Sequence, residues 1–195
     1  MVQALVRLQG TTPLVMRNVR LADKMDSFAR DIAALSKKKD KTDADYEQIA
    51  HLEFLGGLYW AQDVGVYLPS FNIIRSFEVG GTVTKQGKAL SQAVAITTDR
   101  TPIDYEGPRK PEELWGQVEF RWRKLARVQR STVARMRPIF RRWALDLEVE
   151  LEETALDPDA FVRVVETAGK IAGLGDARKL GYGRYATEVV LETQQ

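Results

Sequence analysis

The sequence predicts an α+β fold built on an antiparallel sheet, and three observations carry that expectation. Residues 142–152 alternate with a period of two, placing Trp143, Leu145, Leu147, Val149 and Leu151 on one face and Ala144, Asp146, Glu148, Glu150 and Glu152 on the other. Asp157 then caps a helix with Pro158 at its first position, and Phe161, Val164, Val165, Ala168, Ile171 and Ala172 line its inner side. Gly173-Leu174-Gly175 ends that helix, and residues 185–191 supply a further strand.

The other elements follow in chain order. Residues 2–16 read as a strand or short hairpin broken at Gly10-Thr11-Thr12-Pro13. Residues 24–36 read as a helix with Phe28, Ile32, Ala33 and Leu35 on its apolar side, and Lys37-Lys38-Lys39-Asp40-Lys41 as a solvated loop. Thr42 is the N-cap of a second helix, where Asp43 and Asp45 favour the positive end of the dipole. That helix is expected to bury Tyr46, Ile49 and Leu52 or the apolar neighbours of Glu53, and to stop near Gly56-Gly57, with residues 58–68 extended. Pro69-Ser70 opens a helix carrying Ile73, Ile74 and Phe77, ended by Gly80-Gly81 and followed by a loop at 82–88. Residues 93–98 form a strand, 100–115 with Pro102, Pro108 and Pro111 are irregular, and 128–136 are strand-like. Strand, strand, helix, glycine loop and strand make half of a ferredoxin-like sandwich, and the first half of the chain could supply the rest.

Bulk composition narrows the class. A chain of 195 residues with 44% hydrophobic and 29% charged residues is long enough to bury a core without a disulfide or metal. It has no cysteine, which excludes thiolate metal sites and cysteine nucleophiles and suits a cytoplasmic setting. Arg7 interrupts the first apolar stretch, so the N-terminus does not read as a signal peptide, and no apolar run approaches a membrane span. Neither a cofactor nor a metal is expected.

The net charge of +2 hides a strongly dipolar chain. Residues 120–142 carry Arg121, Arg123, Lys124, Arg127, Arg130, Arg135, Arg137, Arg141 and Arg142 with no acidic residue, whereas 143–160 carry Asp146, Glu148, Glu150, Glu152, Glu153, Asp157 and Asp159. Arginine without counter-charge, interleaved with Phe120, Trp122, Phe140 and Trp143, is the composition of a surface that tracks phosphate and stacks bases. A competing expectation is that the basic and acidic strands pair, so that Arg135 and Arg137 oppose Asp146 or Glu148 in exposed ion pairs worth about 0–1 kcal/mol. It covers Arg121, Arg123, Lys124 and Arg127 less well, because Glu119 is their only near acidic neighbour in sequence.

A second candidate is the loop from Gly173 to Tyr185, with Gly173, Gly175, Gly181 and Gly183 among Arg178, Lys179, Tyr182 and Arg184. Glycine permits close backbone approach, so its amides could cradle phosphate, with Tyr182 as a stacking surface. The alternative is a helix C-cap at Gly173 and a turn at Gly181 and Gly183. The spacing matches neither the phosphate-loop nor the dinucleotide fingerprint.

The same segment, a glycine-rich run after the last helix ending in G-Y-G-R, resembles the hallmark of the repeat-associated mysterious protein superfamily, the RNA-binding subunits and processing nucleases of CRISPR systems. Tyr67-Leu68-Pro69-Ser70-Phe71-Asn72-Ile73-Ile74-Arg75 resembles the segment that opens a helix in the backbone subunits of those complexes, with Ser70, Phe71 and Asn72 replacing its glycine and small residues. Stretches such as GGLYW, DYEGPRKPEELW and RMRPIFRRW are also similar to a group of phage and prophage proteins. The resemblance implies a single RRM-like domain over 1–195 with an insertion at about 60–115, bound along single-stranded nucleic acid, often as a helical stack of subunits, in a bacterial or phage-infected cell. It adds Arg75, Lys85 and Lys88 as contact candidates and makes 82–88 a flexible finger.

Catalytic candidates are sparse. His51 is the only histidine and lies in a predicted helix, where a packed or surface role is the more ordinary one. Carboxylates two apart on a strand stand about 6–7 Å from each other, too far to share an ion unaided. The expectation is therefore a non-catalytic, oligomeric binder of single-stranded RNA or DNA through Arg121, Trp122, Arg123, Lys124, Arg127, Arg130, Arg135 and Arg137 and the glycine loop. A protein-interaction factor using the arginine face and a metal-independent endoribonuclease are the rivals.

Overall fold

The computed structural model describes residues 1–128 and 131–192, with the backbone alone at 126–128, 131, 132 and 192. The chain is α+β with antiparallel sheets, and it divides into two compact units. One comprises Met1–Leu14, Ala61–Glu106 and Arg141–Gln195, and the other Val15–Trp60 and Gly107–Phe140.

The first unit is organised on a four-stranded sheet. Its strands are β1 (Val2–Gly10), β5 (Val94–Ile96), β9 (Ala144–Leu151) and β10 (Tyr185–Glu192), in the spatial order β10-β1-β9-β5 with every neighbouring pair antiparallel. Alternation fixes the register. Val2, Ala4, Val6 and Leu8 of β1 and Leu145, Leu147, Val149 and Leu151 of β9 are buried, so a one-residue slip would expose the whole set. Helices α3 (Ser70–Val83) and α6 (Pro158–Ile171) complete this core, with the rings of Phe77 and Phe161 edge to face at 6.3 Å. Along the chain the order is β1, α3, β5, β9, α6, β10. Short α4 (Gly87–Ala93), β4 (Gly65–Pro69) and β6 (Arg100–Pro102) are added, the last two paired antiparallel.

Gly80 and Gly81 do not end α3 as the sequence predicts; the helix continues to Val83. A Cβ on Gly80 would run into the Val164 carbonyl of α6, so the glycine is there for close helix packing rather than termination. The loop expected at 82–88 shrinks correspondingly to the link between α3 and α4, where Gln86 N donates to Gly81 O at 2.7 Å and Lys85 turns the chain with φ of 61°.

In the second unit, α1 (Ser27–Ser36) is capped by Asp26, and α2 (Asp43–Gly57) begins with the expected Thr42 cap, which exchanges bonds with Asp45 in a capping box. Tyr46 departs from expectation: it is exposed, and the buried positions of α2 are instead Asp45, Glu53, Phe54, Gly56 and Gly57. The span 100–115 holds β6 and α5 (Pro111–Trp115), which starts on a proline with Glu112 and Glu113 in its first turn. Short β2 (Leu14–Val15) and β3 (Trp60–Ala61) lie where the chain passes from one unit to the other. The basic segment forms an antiparallel hairpin of β7 (Arg121–Val128) and β8 (Ser131–Phe140). Among the described residues, no helix is long and apolar enough to cross a membrane.

Candidate nucleic-acid interface

Pairing in the hairpin decides the fate of the arginine block. Trp122 stands opposite Arg137, Lys124 opposite Arg135, and Arg123 opposite Met136, so cation faces cation or an apolar side chain rather than carboxylate. Like charges directly across an antiparallel pair are destabilising, which makes the arrangement costly without a counter-charge from elsewhere. The acidic strand expected to supply it pairs instead with β1 and β5.

One counter-charge comes from α2. Glu53 is buried, and its carboxylate accepts from Arg135 Nη1 at 2.6 Å and from the Met136 backbone amide at 2.8 Å. It thereby neutralises Arg135 and satisfies an amide on β8. Arg121 lies 4.7 Å from the centroid of the Trp115 ring, a cation–π contact that leaves its Nε buried without a hydrogen-bond partner. Lys124 stands 5.6 Å over the Trp122 ring, and Arg123 is exposed, with no carboxylate within ion-pair distance among the described residues. The side chain of Arg127 and the whole of Arg130 lie outside the described residues.

Between α2 and the hairpin lies a groove of about 750 Å³. Lys41, Tyr46, Ile49 and Ala50 line one side, Arg123, Leu125, Ala134 and Met136 the other, and Glu53 and Arg135 also reach it. At the start of α2, Lys38 bonds the Asp45 carboxylate at 2.6 Å and Thr42 adds two further bonds. Lys38 and then Thr42 hold its pKa down at about 2 against an ordinary 3.8, so Asp45 stays charged and fixes this helix start.

The glycine loop of the first unit is closed by backbone bonds within itself and to the turn at Thr12 and Pro13. Leu174 N donates to Gly183 O at 2.9 Å, Gly183 N to Pro13 O at 2.8 Å, Gly181 N to Arg178 O at 3.0 Å, and Arg184 N to the Thr12 hydroxyl at 2.8 Å. Those amides are committed to the fold. Gly173, Gly175, Gly181 and Gly183 all have positive φ, and a Cβ on Gly183 would strike the Leu174 carbonyl. Arg178 and Lys179 sit in the short 3₁₀ turn ahead of Gly181, and Arg184 has one buried guanidinium nitrogen, Nη1, without a partner. Below the loop, Tyr185 bonds Ser76 at 2.9 Å, and burial pushes its phenol far above the ordinary range. Elsewhere in this unit, Arg75 is paired with Glu78 at 2.7 Å on α3, and Lys85 and Lys88 are exposed around the α3–α4 link.

The face of the four-stranded sheet turned away from α3 and α6 has the opposite character. Asp146 and Glu148 from β9 and Glu188 from β10 surround Leu5 and Val190 in a depression of about 340 Å³. The single cation there, Arg7, is bridged to Asp146 at 2.7 Å and approaches Asp104 at 3.7 Å.

His51 meets a residue that sequence spacing does not reveal: its Nε2 lies 2.8 Å from Glu112 Oε2, with its ring 4.9 Å from that of Trp115. A hydrogen-bonded histidine and carboxylate can exchange a proton between them. Among the described residues, no three His, Asp or Glu converge as metal ligands. No protein-family model matches the chain, and neither does any curated protein.

Proposed function

We propose that the chain is a non-catalytic protein that binds single-stranded nucleic acid, RNA or DNA, through the β7–β8 hairpin. The observation that carries this reading is the cross-strand register, which sets Lys124 opposite Arg135 and Trp122 opposite Arg137, while Arg123 is exposed with no counter-charge among the described residues. Glu53 meets the charge of Arg135, so the reading rests on the exposed Arg123 and on Lys124 beside it. Arginine forks match phosphate oxygens in two-point contacts, and Trp122 adds an aromatic plane for a base.

The order β1, α3, β5, β9, α6, β10 with sheet order β10-β1-β9-β5 supports reading the first unit as the ferredoxin-like, RRM-like core. An RRM binds RNA with aromatics on its open sheet face. Here that face is acidic, and binding is assigned to the hairpin of the second unit instead. Arg178, Lys179, Arg184 and Tyr182 remain candidate contacts by side chain, with the loop glycines shaping the turn. The likeness to CRISPR effector backbone subunits supports assembly of several copies along one strand, in a phage or bacterial setting.

The test is fluorescence anisotropy with labelled single-stranded RNA, single-stranded DNA and duplex over a salt series. Single strands bind more tightly than duplex, and log affinity falls against log salt by about 0.7 per phosphate neutralised. Binding that is equal for duplex and single strand, or flat in salt, contradicts the reading. Failure of every oligonucleotide to bind would transfer the arginine face, with its exposed Leu125, to a protein partner.

A further inference from the structure

The groove between α2 and the hairpin has a composition that phosphate binding alone does not explain. Its walls are apolar at Ile49, Ala50, Leu125 and Met136, and an aromatic ring, Tyr46, stands in it exposed to 53%. A tyrosine on the first turns of a helix could have been buried against the hairpin, as its place in the sequence leads one to expect. Instead it stays half-exposed, across the groove from Leu125, which is 69% exposed. The volume of about 750 Å³ falls within the range of about 300–1,000 Å³ typical of small-ligand sites.

Charge selects among occupants. Lys41 and Arg123 line the groove, and the one carboxylate lining it among the described residues, Glu53, is already engaged by Arg135 and the Met136 amide. A ligand suited to this site has a flat apolar part for Tyr46 and the aliphatic walls, and an anionic part for Lys41 and Arg123. A nucleotide has both, joined at the right scale. An unstacked base can leave a single strand at little cost, whereas one in a duplex must first be unpaired.

We infer that the groove holds one unstacked nucleobase of the bound strand, its ring against Tyr46 and its phosphate on Arg123 and Lys41. The inference rests on the nucleic-acid reading above and deepens it. Arg123 becomes the residue shared between strand tracking and base capture. Tyr46, which is 53% exposed, becomes a determinant of affinity for bases as distinct from backbone.

The test separates base from backbone. Full-length protein is titrated with a labelled abasic oligonucleotide and with the same oligonucleotide carrying a single central base, by anisotropy at low salt. In the wild type the single base tightens binding by about tenfold, the worth of one base–aromatic stack. The gain disappears in Tyr46→Ala and survives in Tyr46→Phe, while both variants keep the affinity of the wild type for the abasic strand and its circular dichroism. An equal gain in Tyr46→Ala, or no gain in the wild type, overturns the inference and leaves the nucleic-acid reading standing if the abasic strand still binds in a salt-dependent way. If neither strand binds, both readings fall. Displacement of a bound strand by an acidic, apolar peptide without any gain from the base would overturn it in favour of a protein occupant.

Discussion

The molecule contains two antiparallel surfaces of opposite charge, and they differ in how the charge is met. On β1, β9 and β10 the acids surround a single Arg7 that is bridged to Asp146 and faces Asp104, so the cation is cancelled where it stands. On β7 and β8 Lys124 faces Arg135 across the register, and Arg135 is met by a buried carboxylate delivered by a helix. The two segments adjoin in sequence, yet they do not pair. Strand pairing, and not neighbourhood along the chain, decides whether charges cancel or accumulate.

The largest effect is expected where the first of these surfaces is anchored. Gly183→Ala forces a Cβ into the Leu174 carbonyl at a positive φ, just ahead of β10. It is expected to cost roughly 4 kcal/mol in urea unfolding. A loop that served ligand contact rather than closure would instead lose affinity with stability intact. Next is Glu53→Ala, which leaves Arg135 half-buried and the Met136 amide without its acceptor. The expected loss is about 2–3 kcal/mol, and Glu53→Gln recovers part of it.

Binding variants sharpen the comparison further. Arg123→Ala with Lys124→Ala lowers the slope of log affinity against log salt by about 1.4, two phosphates at about 0.7 each. Arg7→Ala, by contrast, removes an exposed and compensated cation, costs under about 1 kcal/mol of stability and leaves oligonucleotide affinity unchanged. An equal loss of affinity in the two would erase the distinction between the surfaces. The smallest effect is on acid stability. Asp45 titrates at about 2 in the folded chain against an ordinary 3.8, so its contribution is complete above the ordinary value and is lost as pH falls through about 2. Lys38→Met removes the leading cause and moves the acid transition of α2, followed by far-ultraviolet circular dichroism, to higher pH.

Much of the first unit was legible because its strands alternate cleanly. β9 has buried residues at Leu145, Leu147, Val149 and Leu151, and α6 buries Phe161, Val164, Val165 and Ala168, all on the faces their spacing predicts. β7 was not legible as a strand, since Arg121-Trp122-Arg123-Lys124-Leu125 puts charge on both faces and leaves no period to read. Gly80 misled for a different reason: a glycine required by a neighbouring helix looks the same in sequence as one that ends its own. The candidate site was half legible. The cations of the hairpin stood out by count, but Glu53 is 82 residues from Arg135 and His51 is 61 from Glu112, distances no local pattern spans. Helical spacing puts Tyr46 on the core side because it identifies a face, not whether anything covers it.

The most direct measurement is amide chemical-shift mapping of the labelled protein with a single-stranded decanucleotide at low salt. The account predicts perturbations concentrated on β7, on β8 around residues 133–137 and on Tyr46, Ile49 and Ala50 of α2, with the strand residues Arg7, Asp146, Glu148 and Glu188 unmoved. Shifts centred on the acidic sheet face, or none on the hairpin at a concentration where the oligonucleotide binds, would contradict it.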